Sequence, residues 1–143
     1  MLEKALLIEE CPVRGGDFEH GGEASSKIKN VLKRLGINDP IIRRVSIASY
    51  EAEMNIVIYA ESGKLILEIF KDKIRVTAKD KGPGIVDIKL AMKEGYSTAP
   101  PEIIEMGFGA GMGLPNIKKN SDRLKIDSKI GDGTKLVFEV DLR

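Results

Sequence analysis

Apolar positions along this chain follow two periods, and the changes of period divide it into elements. Leu6 to Val13 is apolar enough for a first strand, which Arg14-Gly15-Gly16-Asp17 and His20-Gly21-Gly22 break. From Glu23, the residues Ile28, Val31, Leu32 and Leu35 recur at helical spacing, and Gly36 stands where a C-terminal cap belongs. A second helix is expected from Asp39 as N-cap with Pro40 at the first helical position. Its stripe runs through Ile41, Val45, Ala48, Ala52 and Tyr59 to about Ala60, and Ser62-Gly63 ends it.

The period then becomes alternating. Leu65, Leu67 and Ile69 face one way between Lys64 and Phe70, Lys71-Asp72-Lys73 turns the chain, and Ile74, Val76 and Ala78 resume the alternation as a hairpin. Asp80 to Gly84 reads as a loop, Val86 to Lys93 as a short helix, and Gly95 to Gly113 as a long irregular stretch of the kind that forms lids or binding loops. Leu114 to about Ser121 reads as helix, and a last hairpin joins Leu124–Ser128 to Lys135–Leu142 through Gly131-Asp132-Gly133. The order β-α-α-β-β-α-α-β-β has few right-handed βαβ alternations. It predicts an α+β fold of two layers, helices on one face of a mixed, largely antiparallel sheet.

Composition narrows the class of protein. The 143 residues, 42% hydrophobic and 31% charged, suit one domain with a real core, expected to span 1–143. A net charge of +1 makes no case for nucleic acid or membrane partners. No apolar run nears the roughly 20 residues of a membrane span, and the acidic start Met-Leu-Glu-Lys-Ala-Leu-Leu-Ile-Glu-Glu is unlike a signal peptide, so a cytoplasmic protein is expected. With Cys11 and His20 as the only residues of their kinds, the chain has no internal disulfide, no zinc-site constellation and no Ser-His-Asp or Cys-His-Asn triad.

Three short patterns carry candidate chemistry. Gly107, Gly109, Gly111 and Gly113 alternate in Gly-Phe-Gly-Ala-Gly-Met-Gly-Leu just before a helix start, where free N–H groups and close backbone approach suit phosphate; an ordinary flexible linker has the same composition. Glu51 and Asn55 lie one turn apart on the same side of the second helix, near its buried margin. They form either a solvated pair or a proton acceptor beside an amide oxygen able to hold Mg²⁺. Asp80-Lys81-Gly82-Pro83-Gly84 follows a strand, so its aspartate can accept a hydrogen bond from an exocyclic amine while the glycines turn under a flat base, although Asp-x-Gly-x-Gly is also a common turn.

Together and in this order, the three patterns resemble the nucleotide-binding boxes of the GHKL ATPase superfamily, shared by gyrase, the heat-shock chaperone, sensor histidine kinases and MutL. The chain is most similar to the small anti-sigma-factor and switch serine/threonine kinases of bacteria. That resemblance rests on Asp80 to Ile85, Asp87 to Met92, Gly95-Tyr96-Ser97-Thr98, Gly111-Met112-Gly113-Leu114-Pro115 and Gly131-Asp132-Gly133-Thr134, and covers about Glu23 to Asp141. It implies the two-layer α/β sandwich of Bergerat (histidine-kinase-like ATPase) type, with residues 1–22 as an added N-terminal strand and glycine-rich turn.

By the same resemblance, Asp80 would bind the adenine amino group of ATP, with Thr134 nearby through water and Gly82 and Gly84 lining the base pocket. Asn55 would coordinate Mg²⁺, and Glu51 would act as general base. Gly107, Gly109, Gly111, Met112, Gly113 and Leu114 would serve the phosphates, with Ser97 and Thr98 also in the nucleotide site. Phe108-Gly109-Ala110 carries no arginine, where some kinases of this branch have one. The phosphate charge would then fall to Mg²⁺, backbone N–H groups and Lys118 or Lys119, two lysines that otherwise read as a solvated helix face. Pro100 to Met106 is longer than the lid of the switch kinases, and Ile103, Ile104 and Met106 would close over nucleotide or contact a partner.

The implied function is phosphorylation of a small STAS-type antagonist, with a sigma-factor-like regulator as the competing partner. The alternatives are an ATP-gated binding module without chemistry and a histidine-kinase catalytic domain, the last disfavoured because no dimerising hairpin with a phosphoacceptor histidine is present. The segment Val13 to Phe18 lies outside the boxes. Its edge strand would pair with a second copy, as a homodimer, or with a partner, or simply complete the domain.

Overall fold

The computed structural model describes residues 4–105 and 112–142. The elements are β1 (Leu7–Arg14), α1 (Glu23–Arg34), α2 (Asp39–Tyr59), β2 (Ser62–Ile69), β3 (Lys73–Lys81), α3 (Ile88–Ala91), α4 (Pro101–Glu105), α5 (Gly113–Lys119), β4 (Arg123–Lys129) and β5 (Gly133–Asp141). The strands form one sheet in the order β1-β2-β3-β5-β4, and every pairing is antiparallel.

The alternation read from β2 and β3 puts Leu65, Leu67, Ile74 and Val76 on the face covered by helices, where they meet Ile28, Leu32, Val45, Ile56 and Ile117, all buried. Phe138 and Val140 of β5 extend the same layer. Burying one such side chain stabilises the fold by about 1.5–3 kcal/mol, and the stripe on α2 places that helix across the sheet centre. On the outer face polar ladders face solvent, as where Arg75 Nε donates to Glu139 Oε2 at 2.8 Å.

Several local expectations shift. Asn38, not Asp39, is the N-cap of α2, with φ −60° and ψ 138°, and its carbonyl accepts from the N–H groups of Ile41 and Ile42. Ser62-Gly63 does not end the helix; it opens β2, because Ala60 already leaves the helix in extended conformation and Ser62 and Gly63 pair with Lys81 and Asp80. Glycine is required there, since a Cβ on Gly63 would lie 2.6 Å from the Lys79 carbonyl oxygen. The same pairing keeps Asp80 and Lys81 inside β3 rather than in a loop. The expected helix from Val86 to Lys93 shrinks to α3, held by the Asp87 carboxylate accepting from Leu90 N at 3.0 Å. The stretch expected to be irregular contains the single turn α4. Gly36 does follow α1 with φ 73°.

The buried carboxylate of Glu53 was not anticipated. It projects from α2 to the start of α1, where Oε2 accepts from Gly22 N at 2.9 Å and Ala24 N at 3.2 Å, and Oε1 from Ser25 N at 2.8 Å. The free N–H groups of α1 are thereby satisfied from a neighbouring helix, although no side chain of its own segment caps it.

Candidate nucleotide site

A cavity of about 370 Å³ opens between α2, the adjacent ends of β3 and β5, the α3 region and the start of α5. It gathers Glu51, Asn55, Asp80, Gly84, Ser97, Thr98, Met112, Gly113, Leu114 and Thr134, drawn from six segments of the chain. Gly82 stands beside the wall rather than in it: a Cβ there would lie 3.1 Å from Asp80 Oδ1 and 3.2 Å from Ala60 Cα. Gly107, Gly109 and Gly111 lie outside the described residues.

Part of the cavity is an apolar slot reached by the acid Asp80. Ile58, Ala78, Ile85 and Leu136 line it. Asp80 reaches it from the last pairs of β3, where its Oδ1 accepts from Thr134 N at 3.1 Å. Burial pushes the Asp80 carboxyl above its ordinary value, and the Thr134 N–H opposes that rise. Close backbone packing fixes this corner. A Cβ on Gly133 would collide with the Asp80 carbonyl oxygen, and one on Gly84, whose φ is 81°, would lie 2.6 Å from the Lys129 carbonyl oxygen.

The other end lies farther up α2. Ala60, beside Gly82 and Asp80, is nine residues beyond Glu51, which corresponds to about 13 Å along a helix axis. There a Cβ on Gly113 would lie 3.3 Å from both Glu51 Oε2 and Asn55 Oδ1. The start of α5 is thus pressed onto the Glu51/Asn55 pair with no side chain between them. Burial raises the Glu51 carboxyl, while a side-chain hydrogen bond with Asn116 lowers it. A carboxylate so placed is poised to take a proton.

The donor set fits a nucleotide with Mg²⁺ better than a resident metal. Among the described residues no three His, Cys, Asp or Glu side chains gather to hold a metal ion. What the site offers is one amide oxygen, Asn55 Oδ1, beside a cleft open to phosphate oxygens and water, the ligand mixture Mg²⁺ accepts. Lys119 Nζ pairs with Glu94 Oε1 at 2.9 Å, and Lys118 is exposed. Ile103 is half-buried and Ile104 exposed on α4, whereas Met106 lies outside the described residues.

Sequence reasoning missed two polar residues of this site. Asn116, read only as helix, holds Glu51, and Ser128, read only as strand, bonds to Thr134. Neither belongs to a recognisable pattern; each acts through the docking of an element remote in sequence. Tyr50 on the cavity wall was likewise unmarked, and Tyr96 entered only as part of the Gly95–Thr98 segment.

Comparison with known proteins agrees with this geometry. The profile of the histidine kinase-like ATPase domain matches residues 16–140. The serine/threonine-protein kinase RsbT of Bacillus subtilis (strain 168) is 34% identical over 112 residues, 76% of this chain and 78% of that protein. The anti-sigma F factors of Clostridium beijerinckii and Clostridium novyi are 34% and 32% identical, over 68% and 71% of this chain and 69% and 72% of their own lengths. No helix among the described residues is long and apolar enough to cross a membrane. An apolar slot bearing a carboxylate, a Glu/Asn pair on the long helix and a glycine helix start docked on that pair thus occur in a chain that belongs to the histidine kinase-like ATPase domain family, within its anti-sigma-factor and switch serine/threonine kinase branch.

Proposed function

We propose that this protein is a cytoplasmic serine/threonine kinase that uses ATP and Mg²⁺ to phosphorylate a small STAS-type antagonist, with a sigma factor or similar regulator as the competing partner. The observation that carries this reading is the placement of Gly113 against Glu51 and Asn55, with closest approaches of 3.3 Å to each from a Cβ position. It puts a proton acceptor, an oxygen ligand and backbone N–H groups around one point, about 13 Å along the helix axis from the acid of the base slot. The relatives, a serine/threonine-protein kinase and two anti-sigma F factors, support the kinase class and the partner class.

The residues divide the work. Asp80 accepts the exocyclic amine of adenine, and the apolar walls exclude water from the base. Asn55 Oδ1 would hold Mg²⁺, which when bound supplies charge neutralisation to the phosphates. Glu51, oriented by Asn116, takes the proton of the incoming serine or threonine hydroxyl as that oxygen bonds to the γ-phosphorus and the bond to the ADP oxygen breaks. Incubating the purified protein with labelled ATP, Mg²⁺ and candidate STAS-type proteins tests the reading. Label on a serine or threonine of one of them is expected. Tight ATP binding with no transfer would replace the kinase by an ATP-gated binding module.

A further inference from the structure

The two halves of the outer sheet face, opposite the helices, arrange charge differently. Toward the β2–β3 turn, Glu68, Arg75, Glu139 and Arg123 stand in one cross-strand row and alternate in sign. Ion pairs join them, Glu139 accepting from Arg75 Nε at 2.8 Å and from Arg123 Nε at 2.6 Å. Four residues away along each strand, Lys64, Lys79 and Lys135 stand in a row of one sign, with Lys79 directly opposite both of the others. Lys64 pairs at its outer side with Glu10 at 2.7 Å, and Asp127, which faces Lys135 from β4, pairs instead with Lys125 at 3.9 Å. Lys79 and Lys135 are exposed, and among the described residues neither has an ion-pair partner. Like charges directly opposite on a sheet destabilise it, and the neighbouring row shows the alternating arrangement that would relieve them. Between the two rows, about 7 Å from each, runs the strip Ile66, Thr77 and Val137, with Ile66 and Val137 half-buried.

We infer that this row and strip form a docking surface for an acidic amphipathic helix of a partner protein, laid across β2, β3 and β5. Strands about 4.8 Å apart space the lysines at nearly the separation of side chains one helical turn apart, about 5–6 Å. Carboxylates on successive turns therefore meet Lys64, Lys79 and Lys135 in order. Apolar residues on the adjoining stripe of the same helix cover Ile66, Thr77 and Val137. A single-stranded nucleic acid fits less well, because no aromatic ring stands in these rows to stack a base and the apolar strip has nothing to offer a phosphate. A second copy of the chain would set lysines against lysines or against a row whose charges are already paired. The surface lies on the face of the sheet away from the nucleotide cavity, so the two sites can be filled together.

The probe is a helical peptide of about 20 residues with leucines on one stripe and glutamates on successive turns beside it, titrated into the full-length protein. Calorimetry should show binding that weakens as salt is raised, and amide chemical shifts should move on β2, β3 and β5. Lys79→Glu and Lys135→Glu should each weaken binding about 3- to 10-fold, whereas Lys71→Glu, the same charge change in the β2–β3 turn, should leave it unchanged. Each of the first two also sets opposite charges across β3 and β5, so the thermal midpoint should rise while binding falls. Damage to the fold cannot produce that combination. No binding, equal weakening by Lys71→Glu, or shifts confined to the cavity side would overturn the proposal. So would tighter binding of a single-stranded RNA than of the peptide, or self-association that Lys79→Glu abolishes.

Discussion

The carboxylate of Glu53 accepts a 2.8 Å hydrogen bond from the backbone N–H of Ser25, and so ties the middle of α2 to the first turn of α1. Gly22 and Ala24 donate to its other oxygen, and the residue is 2% exposed. Glu53 sits between Glu51 and Asn55 in sequence but points to the far side of the helix, where it fixes the helix that carries them. Hydrogen bonds to a charged group contribute about 1.5–3 kcal/mol each, so Glu53→Ala should cost at least about 3 kcal/mol of stability by leaving several donors unpaired. Urea unfolding should show a lowered midpoint. A midpoint equal to that of the wild type would remove Glu53 from the framework.

Asp80 stands on the cavity wall beside Ala78, and replacing it by an amide removes the charge from the proposed contact with adenine. Asp80→Asn should weaken ATP and ADP by about 1.5–3 kcal/mol, and GTP should bind poorly to the wild type. Because Asp80 Oδ1 also accepts from Thr134 N, an amide oxygen can keep that bond and the strand ends should stay paired. Calorimetry giving equal ATP affinity in both proteins, or equal wild-type affinity for ATP and GTP, would take Asp80 out of the site.

Asn55 bears on the metal alone. Its amide oxygen, close to Gly113 and on the open side of α2, is expected to matter only when Mg²⁺ accompanies the nucleotide. Asn55→Ala should lose the Mg²⁺-dependent part of ATP affinity and retain the rest. Titrations with and without Mg²⁺ check this, and an unchanged Mg²⁺ effect would return the residue to a helix margin.

For Glu51 binding and chemistry should separate. Glu51→Gln should lower phosphotransfer by about 10²–10⁴-fold with nearly unchanged ATP affinity. The pH dependence has a definite sign. A base works when deprotonated, and burial raises the Glu51 carboxyl above the ordinary 4.5, so the acid limb of kcat should lie above that value and activity should fall as pH drops through it. Adding Asn116→Ala removes the one opposing influence and should move the limb higher still. A limb at or below 4.5, or one that persists in a residual activity of Glu51→Gln, would assign the proton transfer elsewhere.

The chain by itself determined what depends on neighbours within one or two turns. Helical and alternating periods placed most of the elements to within a few residues, and the four-residue step from Glu51 to Asn55 put both on one side of α2, because side-chain direction follows backbone period. The alternation through Ala78 ended the strand just before Asp80, and pairing with Gly63 carried the strand past it. Only the tertiary structure decided how these pieces meet. Whether Ser62-Gly63 stops a helix or opens a strand depended on Lys81 and Asp80 being there to pair with. The docking of α5 set Gly113 and Asn116 against Glu51, the β4–β5 hairpin brought Ser128 to Thr134, and a glutamate in the middle of α2 capped α1. Such contacts join residues far apart in the chain, and a buried polar group is satisfied by whichever partner packing brings within about 3 Å, which no local period records.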